Sequence, residues 1–195
     1  SIIYVSHDLN SLKLLCDRVI LLNKGEVAQE GKPEDVINSY NFLISKLNDT
    51  SDTIKIKDLE NNNSFGTLEV EITAVKILGN YSNSNVISSG EGARIEVQFK
   101  SYKDIENINI GITIRDKFGQ DIFGTSTHNL DKKCSVQKDK TYSTFFDLDL
   151  NIGSGKYSIS TALAIGENHI NHCLHWRDHA ISFEVAGNIG DSFIG

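Results

Sequence analysis

After Gly66 apolar and polar side chains alternate with a period of two, the spacing of strands that each bury one face. Leu68, Val70, Ile72 and Ala74 alternate with Glu69, Glu71 and Thr73. Ile95, Val97 and Phe99 alternate with Arg94, Glu96, Gln98 and Lys100, and Ile108, Ile110, Ile112 and Ile114 with Asn109, Gly111, Thr113 and Arg115. Further rows run through Tyr142, Thr144, Phe146, Leu148 and Leu150, through Tyr157, Ile159, Thr161, Leu163 and Ile165, and through Ile181, Phe183 and Val185. Turn signals separate them at Ser88–Gly90, Asp116–Gly119, Asn151–Gly155 and Gly166–Asn168. A strand with one apolar face needs a second sheet to cover it, so the fold class expected is mainly β, an antiparallel β-sandwich.

The first 47 residues follow a different pattern. Ile2, Ile3, Tyr4 and Val5 predict a strand buried on both faces, of the kind found in parallel sheets. Asp8 or Asn10 caps a helix through Leu12, Leu14, Leu15 and Cys16. Val19–Leu22 is a second strand, Asn23-Lys24-Gly25 a turn, and Glu26–Gln29 a third strand. Pro33 opens another helix, with Glu34 and Asp35 suited to its positive end and Val36, Ile37, Tyr40, Leu43, Ile44 and Leu47 on its apolar face.

Taken together, YVSHDLNSLKLLCDRVILLNKGEVAQEGKPEDVI resembles the last part of an ABC-transporter nucleotide-binding domain. The resemblance implies that His7 is the switch-loop histidine, which contacts the γ-phosphate of ATP in that family. Neither a GxxxxGK[ST] phosphate loop nor an LSGGQ-type signature occurs in this sequence. Without a loop to hold the phosphates His7 has nothing to act on, so the chain is expected to be a fragment that does not hydrolyse ATP. ATP and Mg belong to the intact parent subunit, and the sandwich is expected to need no cofactor.

Residues 48–66 are mostly polar (NDTSDTIKIKDLENNNS) and read as a linker, leaving 67–195 for the sandwich domain. An ABC-type C-terminus joined to a sandwich is similar to the ATP-binding subunits of O-antigen polysaccharide ABC transporters, the Wzt type. INIGITIRDKFGQDIFGTST and WRDHAISFEVAG carry this second resemblance. It implies an immunoglobulin-like sandwich that binds lipid-linked O-antigen polysaccharide and a homodimer formed by exchange of a terminal strand, for which Ala180–Gly187 is the candidate. It also implies a membrane permease subunit as partner and a place on the cytoplasmic face of the bacterial inner membrane. The alternative is a dimerisation or regulatory module of the ATPase that does not bind glycan.

A glycan site needs a shallow trough, hydrogen-bonding groups for hydroxyls and an aromatic face for sugar C–H surfaces. Two outward rows are unusually small: Asn109, Gly111 and Thr113 before Arg115, and Ser158, Ser160, Ala162 and Ala164. If both lie in one sheet they floor a groove; otherwise they are an ordinary solvated face. Trp176, the single Trp, is either a stacking platform with His175, Arg177 or Asp178 beside it, or a cap on the core. Arg115 either forks to two hydroxyls or pairs with Asp116 or Asp121. His128 follows a strand and serves similarly.

Other classes are disfavoured. A net charge of −7 supplies no basic footprint for nucleic acid. No apolar run reaches the ~20 residues that span a bilayer. Cys16, Cys134 and Cys173 are too scattered for a disulfide framework. The stretch ENHINHCLHWRDH gathers His169, His172, Cys173, His175 and His179, yet its spacings match no familiar zinc site. Asp147 and Asp149 share a strand face without the differing environments that glycoside hydrolysis requires.

Overall fold

A computed structural model describes residues 2–48, 55–56, 64–132, 134–166 and 172–189. Near the N-terminus come helix α1 (Leu9–Leu15), strands β1 (Val19–Asn23) and β2 (Glu26–Gly31), and helix α2 (Pro33–Asn48). Asp8 starts α1 by accepting from the Ser11 hydroxyl and, through its carbonyl, from Leu12 N–H. Lys24 and Gly25 both take positive φ (50° and 86°), which closes β1 and β2 into a hairpin. Residues 2–5, expected as a buried strand, are instead unpaired, and Ile2, Ile3 and Val5 are 90–95% exposed. No strand among the described residues lies beside them to satisfy their backbone.

The remaining elements are β3 (Lys55–Ile56), β4 (Ser64–Gly66), β5 (Val70–Gly79), β6 (Val86–Ser89), β7 (Gly92–Ser101), β8 (Ile105–Arg115) and β9 (Asp121–Ser126). β10 (Cys134–Val136), β11 (Thr141–Asp149), β12 (Gly155–Ile165) and β13 (Cys173–Asn188) complete them. One sheet runs β10-β8-β12-β13-β4-β3, with β9 also on β8 and β6 also on β13; the other runs β11-β7-β5. All of these pairings are antiparallel except β6 with β13. The fold is therefore the mainly antiparallel sandwich that the alternation implied.

Ile108, Ile110, Ile112 and Ile114 of β8 are buried against Ile72, Ile77, Ile95, Val97 and Phe99 of the facing sheet. The period slips once: a bulge between Ile72 and Ala74 moves the buried row of β5 to Val75 and Ile77. Residues 64–66, at the end of the polar stretch, pair with β13, and Phe65 is almost wholly buried. Ala180–Gly187, the candidate for exchange, is paired within its own chain, to β12 on one edge and β6 on the other.

Candidate functional site

The two small rows lie side by side. β8 and β12 pair directly, setting Ala164 opposite Asn109, Ala162 opposite Gly111, Ser160 opposite Thr113 and Ser158 opposite Arg115. One rung crosses five strands as Ser126, Gly111, Ala162, Trp176 and Phe65. Its middle residues have almost no side chain and its flanks do, so the sheet surface dips there. The dip is a trough of about 190 Å³ whose lining includes Asn109, Thr113, Ser126, Asn129, Ser160 and Trp176. Among the described residues the lining is uncharged, its polar side chains being hydroxyls and amides that can exchange hydrogen bonds with a ligand's hydroxyls.

Trp176 is only 5% exposed. Phe65 lies near-parallel to its ring at 6.3 Å, and the Arg115 guanidinium stands 5.9 Å from the ring centroid. Phe42 of α2 meets Phe65 edge-on at 5.5 Å. The indole is packed as a core residue and also borders the trough.

A bulge in β13 shapes the near end of the trough. Ile159 pairs with Ile181 and Thr161 with Arg177, so Asp178, His179 and Ala180 stand opposite Ser160 alone. His179 takes a positive φ of 45° there. Asp178 is thereby turned into the sheet face, where it accepts from Ser160 Oγ at 2.5 Å, from Asn38 Nδ2 at 2.8 Å and from Arg115. Arg115 also donates to Asp121 at 2.5 Å and to Ser160 at 3.3 Å. Lys13 of α1 donates to the Gly119 carbonyl at 2.8 Å and lies 3.8 Å from Asp121. Burial alone would raise the Asp178 carboxyl, but Arg115, Ser160, His179 and Asn38 together hold it below the ordinary carboxylate range. Burial, reinforced by Arg115, lowers the Lys13 ammonium.

The other predicted residues are dispersed. His175 is interior, with Nδ1 accepting from Ile72 N–H and Nε2 facing Ser64 Oγ, both at 2.8 Å. That places it outside the trough. His128 is exposed at the trough's far end, where its backbone N–H and the Thr127 hydroxyl both donate to Asn109 Oδ1. Ser158 lines a separate cavity. His7 is exposed on the bend before α1. His169 lies outside the described residues, and among those described no group of three or more His, Cys, Asp or Glu is placed to hold a metal ion. Asp147 is engaged by Arg94 at 2.6 and 2.9 Å.

Sequence reasoning missed Ser126 and Asn129, which form the far wall, and the contributions of Lys13 and Asn38. Gly124-Thr125-Ser126 continues the small-residue theme and was readable as such; the helix contacts left no local signal.

A family model described as the Wzt C-terminal domain matches residues 61–195. The chain belongs to that family. The crystal structure of the C-terminal domain of Wzt shares the fold of this Wzt-type chain, with a TM-score of 0.60 at 16% identity, over 77% of this chain and 95% of that one. Two relatives match a shorter stretch. The teichoic acids export ATP-binding protein TagH of Lactococcus lactis subsp. lactis is 55% identical over 44 residues, 23% of this chain and 9% of that protein. The ABC transporter protein AbcA of Aeromonas salmonicida is 43% identical over 44 residues, 23% of this chain and 14% of its own length. The Wzt-type chain thus spans a small part of these relatives, and no helix among its described residues is long and apolar enough to cross a membrane.

Proposed function

We propose that this chain is the polysaccharide-recognising end of an ATP-binding subunit of an ABC exporter, and that its trough binds glycan without covalent chemistry. The observation that carries the proposal is the rung Ser126–Gly111–Ala162–Trp176: a floor of a glycine and an alanine between an aromatic edge and a hydroxyl, with the amides of Asn109 and Asn129 also in the lining. Sugars present alternating C–H surface and hydroxyls, and the described lining offers complements to both. The likeness to TagH and AbcA supports a parent subunit that hydrolyses ATP, with His7 in the switch loop and ATP and Mg held by residues that this sequence lacks.

The cargo we assign is a lipid-linked O-antigen-type polysaccharide, handed to a permease at the cytoplasmic face of the inner membrane. Two copies of the subunit would multiply a weak affinity per sugar. The test is titration with O-polysaccharide purified from the strain that carries this chain, beside an unrelated polysaccharide, following Trp176 fluorescence and binding heat. Saturable binding of the cognate polymer alone supports the proposal. A folded protein that binds neither leaves an assembly or regulatory module of the ATPase as the better account.

A further inference from the structure

The outward row of β12 does not end at the trough. Ser158, two residues before Ser160 on the same face, lines a second cavity of about 440 Å³ together with Ser182, Lys156, Glu184, Lys117 and Glu34. The two cavities therefore lie along one sheet face. What separates them is the buried cluster of Arg115, Asp178, Lys13 and Asn38, two of which come from α1 and α2.

Helix α2 meets this face along a stripe that includes Glu34, Asn38 and Phe42. Glu34 lines the second cavity and lies 3.9 Å from His179, Asn38 bonds Asp178 at the barrier, and Phe42 packs on Phe65 beside Trp176 at the trough. These residues are four apart, one helical turn each, so the stripe follows the line from one cavity to the other. We infer that the trough and the second cavity are two halves of one groove, that α2 lies along it in the place of an extended ligand, and that a polysaccharide several sugars long gains the whole groove only when α1 and α2 lift. This rests on the glycan reading above.

The character of the contact suits a reversible cover. Buried ion pairs roughly break even against their desolvation, so the Lys13, Arg115, Asp121 and Asp178 cluster sets the register of docking more than its strength. The described aromatic contribution from α2 is Phe42. The backbone of α2 packs on β1 and β2, which gives the helical element its own support when it leaves the sheet.

The experiment compares the full chain with N38A/F42A, and with E34A as a milder variant should the first not fold. Acrylamide quenching of Trp176 reports the cover directly, since no other Trp contributes. Quenching is expected to rise several-fold in N38A/F42A while the β-sheet circular dichroism is unchanged. Binding of the purified O-polysaccharide is expected to tighten several-fold, and binding of its single repeat-unit oligosaccharide to stay the same. Unchanged quenching in folded N38A/F42A overturns the cover. Raised quenching with polymer binding unchanged or weaker overturns the competition between helix and glycan. Raised quenching with no polymer bound by either form defeats the glycan reading itself and leaves the cover standing as a contact between helix and sheet alone.

Discussion

The Arg115 guanidinium stands 5.9 Å from the centroid of the Trp176 ring, and Phe65 lies against the same ring. The aromatic edge of the trough is therefore held by neighbours before any sugar arrives. Trp176→Ala is expected to lose about 3–5 kcal/mol of stability, the range for emptying a buried aromatic site. Trp176→Phe should lose less than half of that. Urea unfolding of both variants, followed by circular dichroism, checks the ranking, and equal losses would show that a smaller ring recovers none of the packing and that the shape of the indole itself sets the cost. Trp176→Phe is accordingly the variant in which glycan binding can be read without a collapsed fold.

Arg115 and Asp178 are buried together, with Ser160 and Asn38 completing the bonding of the carboxylate. Arg115→Met strands that carboxylate, and a cost of about 3–5 kcal/mol follows from removing one partner of a buried pair. The double variant R115M/D178L removes both charges and is expected to recover most of the loss. A double-mutant cycle in urea measures the coupling. A double variant no more stable than R115M would mean that shape, not charge, sets the cost.

Much of this arrangement was legible in the sequence, and the boundary has physical causes. The alternation in β8 and β12 identified which residues face outward, because a one-residue slip would send a row of isoleucines to the surface. It did not reveal that Asp178 points at Arg115, since that depends on a bulge whose extra residues, Asp178–Ala180, look like ordinary strand. His175 resembled a site residue only through its nearness to Trp176; its neighbours across the fold, Ser64 and Ile72, made it an interior hydrogen-bonding group. The slip in β5 past Ile72 went unseen for the same reason, a bulge being a choice made by pairing. Contacts of Lys13, Asn38 and Phe42 with the sheet span long sequence separations and have no periodic signature.

Gly111 tests the trough itself. A Cβ there would sit 3.7 Å from Ser126 Cβ, an ordinary contact, and its backbone has no positive φ. Gly111→Val therefore suits the strand and fills the floor of the trough. It is expected to change stability by under about 1 kcal/mol and to weaken binding of the O-polysaccharide at least tenfold, read by calorimetry. Undiminished affinity in this variant would move the glycan off this face.

Gly66 is fixed for a different reason. With φ at +148°, an added Cβ would lie 2.3 Å from the Leu174 carbonyl oxygen and 2.8 Å from His175 Cα, both backbone atoms of β13. Gly66→Ala has to push β4 away from β13, loosening Phe65 against Trp176. A loss of about 2–4 kcal/mol is expected, in the class of backbone strain and disrupted core packing. Thermal unfolding checks it, and a shift of less than a degree or two would mean that β4 yields without cost.

Glu91 links the fold to pH. Its buried carboxylate accepts N–H bonds from Tyr81 and Ser82 at 2.7 Å on one oxygen and from Ser88 at 3.0 Å on the other. Burial alone would raise its pKa, but these backbone donors hold it below the ordinary glutamate value. A carboxyl lowered on folding contributes stability that is complete above its unfolded value of about 4.3 and drains away as pH falls through the folded value. Glu91→Gln turns an amide toward the Ser88 N–H, donor against donor, at a cost of about 1–3 kcal/mol near neutrality. The urea midpoint should therefore drop between pH 7 and pH 3 more steeply in the parent than in Glu91→Gln. Parallel decline of the two would assign the acid sensitivity to other carboxylates, with the paired Asp178 next in line.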